Sequence, residues 1–310
     1  MRLHRELGLG LLFALCMALA LPSARADLVI NDSWADGGRD NGADALDSNW
    51  WTSSNANGIE VSVGSLGMVS GTQGRGIHTI FPTQTLNVGD TLVARYTFTT
   101  PATVGTGGSG AFRVGLFDTL GRAGLNADIV ASTASPSAEY GWGSAVGGPG
   151  TAGLPGYLMD MDVGTGAEDL NFRAHDPGTA NGTGRLMGTT TGFAQVGSSG
   201  PDGAYVFTPN TTYSGSISLT RINATDMQLT GTLGTATHTV TDAFDSASVG
   251  MLAFWANSNM FGASATPGEA NNGIDFSNVQ VELIVPEPAS LSLLALGFAA
   301  LARPARRRRA

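Results

Sequence analysis

Polar and apolar residues alternate through the middle of this chain with a period of two. Thr91-Leu-Val-Ala-Arg-Tyr-Thr-Phe places Leu92, Ala94, Tyr96 and Phe98 on one face. Ser216-Ile-Ser-Leu-Thr-Arg-Ile sets Ile217, Leu219 and Arg221 opposite Ser216, Ser218, Thr220 and Ile222. This is the pattern of a strand with one face buried. Similar short strands are predicted at Ile59 to Val63, Gly76 to Phe81, Ala111 to Phe117, Tyr157 to Val163, Met227 to Leu233, Thr235 to Thr241, Val249 to Trp255 and Ile274 to Leu283. No stretch between the two ends keeps a helical period over three turns. Short strands punctuated by Gly and Asn, with 44 glycines in 310 residues, predict an all-β chain folded as one antiparallel β-sandwich, a jelly roll.

The two ends depart from this pattern. Arg2, His4 and Arg5 precede an apolar stretch from Leu7 to Leu21, and Ala24-Arg25-Ala26 offers small residues at the two positions a signal peptidase reads. Residues 1 to 26 therefore read as a secretory signal peptide cut before Asp27. Cys16, the one cysteine, lies inside that stretch behind Leu15, where a lipoprotein signal needs a small residue. The exported body would then hold no cysteine and form no disulfide.

At the other end, Pro286 and Pro288 remove backbone donors and favour an extended hinge. An apolar run reaches Ala302, and five arginines follow from Arg303 to Arg309. Such a run would enter lipid, with the arginines holding its end on the cytoplasmic side. Ala289 to Ala302 is only 14 residues, about 21 Å of helix against a hydrocarbon core of roughly 30 Å. That mismatch suits transient rather than permanent insertion.

The hinge, apolar run and arginine cluster of residues 286 to 310 resemble the PEP-CTERM sorting signal of Gram-negative bacteria, with Pro286, Glu287 and Pro288 at the three named positions. The resemblance implies recognition by an exosortase, which removes the tail and passes the body to the cell surface or the extracellular polysaccharide. The body, residues 27 to 285, resembles in turn the concanavalin A-like sandwiches of laminin-G and legume-lectin type. The matching stretches are Asp36 to Trp51, Phe112 to Asp118, Ile217 to Arg221 and Ile274 to Val281. This second resemblance implies a fold with one concave face that many relatives use for glycans, and fold alone does not fix function.

Charge narrows the partners. Lysine is absent, and without the two ends the body keeps 23 acidic residues against 8 arginines, near −15. Such a body repels nucleic acid and acidic lipid and favours neutral sugars or calcium. Lysine-based covalent chemistry is excluded.

Several constellations are candidates for chemistry. Asp32, Asp36, Asp40, Asp44 and Asp47 crowd one loop with three asparagines. Of these, Asp36, Asp40 and Asp44 are candidate oxygen ligands for Ca²⁺, although the EF-hand glycine is missing and Asx residues beside Gly equally suit tight turns. Asp160 and Asp162 share one strand face, with Met159 and Met161 on the other. Their spacing admits glycoside hydrolysis, although a half-exposed polar strand face explains them as well. His78, Gln84, Arg95 and Tyr96 could form a lyase-like set if adjacent strands assembled them. His78, His175 and His238 lack metal-ligand spacing. Aromatic faces match the C–H faces of sugars, so Trp50, Trp51, Tyr140 and Trp142 are the glycan-binding candidates. Tyr140 and Trp142 sit in a Gly-rich loop, where they either bind or plug the sandwich, and Trp255 reads as core.

These readings converge on an exported, exosortase-sorted cell-surface or matrix protein. Its expected role is non-enzymatic, glycan-binding or exopolysaccharide-associated. A secreted polysaccharide lyase or glycoside hydrolase and a ligand-free matrix protein are the alternatives.

Overall fold

The computed structural model describes residues 24–40, 46–52, 59–68, 74–105, 112–121, 125–126, 128, 154–162, 170–175, 187, 193–201, 206–257, 260–261 and 273–287. The chain divides into two compact units. One comprises Met1–Asp27 with Ile284–Ala310, and the other is Leu28–Leu283. In the first, the exposed ion pair of Arg25 and Asp27 is a local contact.

Among the described residues fifteen strands follow in chain order: β1 (Ala24–Asp32), β2 (Trp50–Thr52), β3 (Ile59–Ser62), β4 (Ser65–Met68), β5 (Arg75–Thr85), β6 (Thr91–Thr99), β7 (Phe112–Phe117), β8 (Gly156–Met161), β9 (Asn171–His175), β10 (Phe193–Val196), β11 (Thr212–Arg221), β12 (Asp226–Leu233), β13 (Ala236–Ala243), β14 (Ser248–Ala256) and β15 (Ile274–Pro286). They form an eight-stranded sheet in the order β13-β12-β11-β6-β15-β4-β3, with β1 also paired to β15, and a seven-stranded sheet in the order β10-β9-β8-β7-β14-β5-β2. The registered pairs in both sheets are antiparallel, and no helix occurs among the described residues. The predicted antiparallel sandwich is the observed fold.

The ten predicted strands all form, with ends shifted by a few residues. Five more were not predicted: β1, β2, β4, β9 and β10. β4 was hidden by its shortness and follows β3 through the two-residue turn Val63-Gly64, where Gly64 takes φ 82°, a conformation that glycine enters without steric cost. β15 runs as far as Pro286, the first of the two hinge prolines, which can donate to no ladder and ends the strand.

The inward faces of the two sheets form the main core. Leu92, Ala94, Tyr96 and Phe98 are all buried there, as the alternation predicted. Its centre is aromatic: Phe254 and Phe276 lie 4.5 Å apart by ring centroid, Phe98 and Phe112 5.1 Å, and Tyr96 meets Phe254 edge-on at 5.4 Å. Each such pair adds about 0.5–1.5 kcal/mol beyond area burial. Tyr96 fits because β11 presents Gly215 to it across the ladder; a Cβ there would stand 2.6 Å from the phenol oxygen.

The sheets differ on their outer faces. The eight-stranded sheet alternates buried and solvent-facing residues, as in the β12 pattern. All six residues of β7 are buried, and all but the first of β14. A second apolar cluster, including Phe117, Leu158, Met187, Met251 and Trp255, covers part of the outer face of the seven-stranded sheet. Trp255 is therefore core as expected, but in this second cluster rather than between the sheets.

Candidate functional site

Strand pairing lays out the outer face of the seven-stranded sheet in rows. One row runs Trp51, His78, Ala253, Gly115, Leu158, Arg173, Gln195. The next holds Trp255, Arg113, Asp160 and Asn171. Polar side chains thus lie in register on a face whose centre is apolar.

At the β2 edge, Asp32 fixes the geometry. Its carboxylate is buried and accepts the Trp34 N–H at 2.9 Å, the Trp50 indole N–H at 2.7 Å and the Ser48 N–H at 3.4 Å. Burial raises its pKa, against the pull of these donors. The indole bond draws Trp50 into the main core at 1 % exposure. Trp50 therefore cannot offer a ring to a sugar, and its candidacy as a binding residue is corrected: a side chain tied inward to a buried carboxylate has no open face.

The strand period then turns the next residue outward. Trp51 is half-buried and packs against His78 at a tilt, with ring centroids 5.7 Å apart and planes at 32°. His78 is fully buried and donates its Nε2–H to the Leu125 carbonyl at 2.8 Å. Burial lowers its pKa to about 4, so the imidazole under Trp51 is neutral at neutral pH. Beside it, Arg39 grips Asp128 through two bonds of 2.9 and 2.7 Å, and Asp128 also accepts the Thr52 N–H at 3.1 Å. Burial pushes the Asp128 carboxyl up, but the Arg39 and Thr52 bonds and the guanidinium charge outweigh it and hold the pKa below its usual value. The edge thus joins a partly open indole to a fixed set of charged donors and acceptors.

In the second row Asp160 is buried between two guanidinium groups, accepting Arg113 Nε at 2.8 Å and Arg173 Nε at 3.1 Å. Arg113 also donates to the Met187 carbonyl. Met159 and Met161 face the main core, as predicted. The aspartates do not lie on a half-exposed face, since Asp160 and Asp162 are 4 % and 3 % exposed. Both oxygens of Asp160 are bonded to arginines, so this carboxylate belongs to an ion cluster and is not open to a sugar.

The lyase-like set does not assemble. Tyr96 is in the main core and His78 on the opposite side of the other sheet, while exposed Arg95 bonds Glu282. Asp36 and Asp40 are exposed, and Asp36 accepts the Gly38 N–H at 2.8 Å, as a turn residue does. No group of three metal-binding side chains occurs among the described residues. Asp44, Tyr140, Trp142 and Pro288 lie outside the described residues. Ala24 and Ala26 are exposed at the start of β1, and Pro286 is exposed at the end of β15. Sequence reasoning missed Arg39, Asp128, Arg113 and Arg173. The one available signal was Arg113, a lone charge inside the apolar stretch Phe112 to Phe117.

No protein-family model matches the sequence, and no curated protein is similar to it. Solved structures resemble the fold at low identity, among them the following three. The carbohydrate recognition domain of Emp46p in its metal-free form is 7% identical, over 81% of this chain and 94% of that one, with a TM-score of 0.45. An endo-1,3-beta-glucanase from Streptomyces sioyaensis is 14% identical over 86% and 99%, at 0.45. A lectin from Bauhinia forficata in complex with GalNAc is 10% identical over 86% and 100%, at 0.41.

Proposed function

We propose that this chain is an exported sandwich protein that binds a neutral glycan at the Trp51 edge of its seven-stranded sheet, without catalysis. The observation that supports this is the pairing of a half-buried indole on neutral His78 with the Arg39 and Asp128 ion pair beside it. A sugar needs both parts: an apolar ring for its C–H face and fixed polar groups for its hydroxyls. The acidic body favours an uncharged ligand. Binding rather than hydrolysis is favoured because both oxygens of Asp160 are already held by arginines.

Delivery belongs to the same proposal. A signal peptidase releases residues 1 to 26, and an exosortase reads Pro286, Glu287 and Pro288 after transient insertion of the tail, leaving the body in the outer envelope or matrix of a Gram-negative cell. The order of hinge, apolar run and arginines supports this. Calcium held by Asp36, Asp40 and Asp44 is the accompanying metal proposal, supported by their density of oxygen donors.

The test is a glycan array probed with and without calcium, followed by sugar-release assays on each hit. Binding of neutral glycans without release of reducing ends is the expected result. An array with no hit in either condition contradicts the proposal, and steady product release moves the protein to the hydrolase or lyase class.

A further inference from the structure

β1 pairs with β15 in the eight-stranded sheet, and Gln280 of β15 donates its side-chain amide to Asn31 of β1 at 2.7 Å. From that contact an antiparallel pair brings the start of β1 towards Ile284, whereas a parallel pair would carry it towards Ile274. The start of β1 and the end of β15 belong to the same compact unit, which takes in Asp27 and Ile284, so the two strands run antiparallel. Ala24 to Ala26, read from the sequence as the signal-peptidase site, therefore stand at the same end of the pair as Pro286, the first residue of the sorting motif.

Ala24, Arg25 and Ala26 are all exposed, so they bury no apolar side chain and contribute to the pair through their backbone. At the end of β15 and just beyond it, Ile284, Val285 and Glu287 are half-buried, and Pro286 has no N–H. A processing enzyme takes an extended segment by its open backbone edge. An edge already filled by a neighbouring strand offers no unpaired groups. The covering is mutual, because Ala24 to Ala26 are equally closed once β15 has paired with them. β15 follows every other described strand in the chain, so it is the last of them to be made.

We infer that residues 24 to 26 cover the entry to the sorting motif in the precursor, so that loss of the leader opens the tail to its processing enzyme. The inference rests on the reading of residues 1 to 26 as a cleaved leader and of Pro286, Glu287 and Pro288 as a sorting motif, and it adds the order in which the two are used. Hydrolysis of the amide between Ala26 and Asp27 by water leaves a carboxylate on Ala26 and a new amino terminus on Asp27. It also shortens β1 by three residues. The end of β15 then loses its ladder partner on that side, and its local opening becomes easier. A chain that folds with its leader still attached has both sites closed, so an unprocessed precursor is not sorted.

Hydrogen exchange read by mass spectrometry compares three chains in detergent: the full chain, the chain that begins at Asp27, and the full chain carrying Arg25→Pro with Ala26→Pro. Prolines at two successive positions remove a ladder donor whichever of the two faces β15, while the leader stays. Peptides covering Ile284 to Glu287 should exchange about tenfold faster in the second and third chains than in the first, with those covering Val279 to Glu282 alike in all three. In an exosortase-bearing Gram-negative host, Ala24→Leu with Ala26→Leu blocks leader cleavage but keeps the strand, and should retain its tail. Arg25→Pro with Ala26→Pro also blocks cleavage but breaks the pair, and should lose it.

Equal exchange at Ile284 to Glu287 in all three chains overturns the covering. Faster exchange that spreads to Val279 to Glu282 overturns it too, because the leader would then hold the sheet together rather than cover its end. A tail retained by both leader-bearing variants assigns the block to anchoring by the leader and overturns the gate. A wild-type chain that keeps its tail removes the sorting reading instead, and the exchange comparison still decides whether residues 24 to 26 cover the end of β15.

Discussion

Trp51 lies on the imidazole of His78, ring centroids 5.7 Å apart, and His78 is the fully buried member of the pair. The half-buried indole is thus supported by a group that must stay neutral. A His whose folded pKa is about 4, against an ordinary 6.5, binds fewer protons when folded than when unfolded between those values. The stability it allows is complete above pH 6.5 and is lost as the pH falls towards 4. The expected loss assigned to His78 is about 3 kcal/mol across that window. Urea unfolding at pH 7.0, 5.5 and 4.5, compared with His78→Gln, measures it. The variant should lack this share of the pH slope; parallel curves for both proteins would refute the assignment.

Asp160 stabilises two arginines, one of them buried. Asp160→Ala should cost about 3–5 kcal/mol, because it leaves the guanidinium of Arg113 in the protein interior without its anion. Arg173→Ala should cost about 1 kcal/mol, since that side chain is partly open and Arg113 still pairs with the carboxylate. Chemical denaturation of both variants checks the order. Equal costs would contradict this, because losing the Arg113 pairing would then add nothing to losing that of Arg173.

Asp32→Ala removes the acceptor of two backbone donors and one indole. A loss of about 3 kcal/mol is expected, with a red-shifted tryptophan emission as Trp50 gains water. Asp32→Asn retains an acceptor oxygen and should recover part of it. An unchanged emission maximum in the alanine variant would show that packing alone holds Trp50.

Replacing Glu287 and Pro288 by alanine should leave full-length protein in the membrane fraction of an exosortase-bearing Gram-negative host. Fractionation and immunoblotting for the tail read the outcome. Normal delivery to the surface would remove the sorting proposal without bearing on glycan binding.

Alternation made β6 and β11 readable from sequence because one face of each meets water and the other the core. β9 hid for the opposite reason. In Asn171-Phe-Arg-Ala-His polar residues stand on a covered outer face, so Asn171 and His175 are buried without looking apolar. Trp50 and Trp51 read alike in sequence; only the bond from Trp50 to Asp32 shows which one turns inward. The partners around Asp128 and Asp160 were invisible because they come from distant strands and loops, Arg39 standing 89 residues from Asp128 and Arg113 47 residues from Asp160. No local pattern encodes such a pairing.

The most direct measurement is indole ¹⁵N–¹H NMR during titration with a neutral oligosaccharide found on the array, with Trp51→Phe to assign the resonance. Five tryptophans give five indole signals. The prediction is a saturable shift of the Trp51 signal, with those of buried Trp34, Trp50 and Trp255 nearly still. A bound oligosaccharide that leaves Trp51 unmoved, or moves Trp142 in its place, would contradict the site.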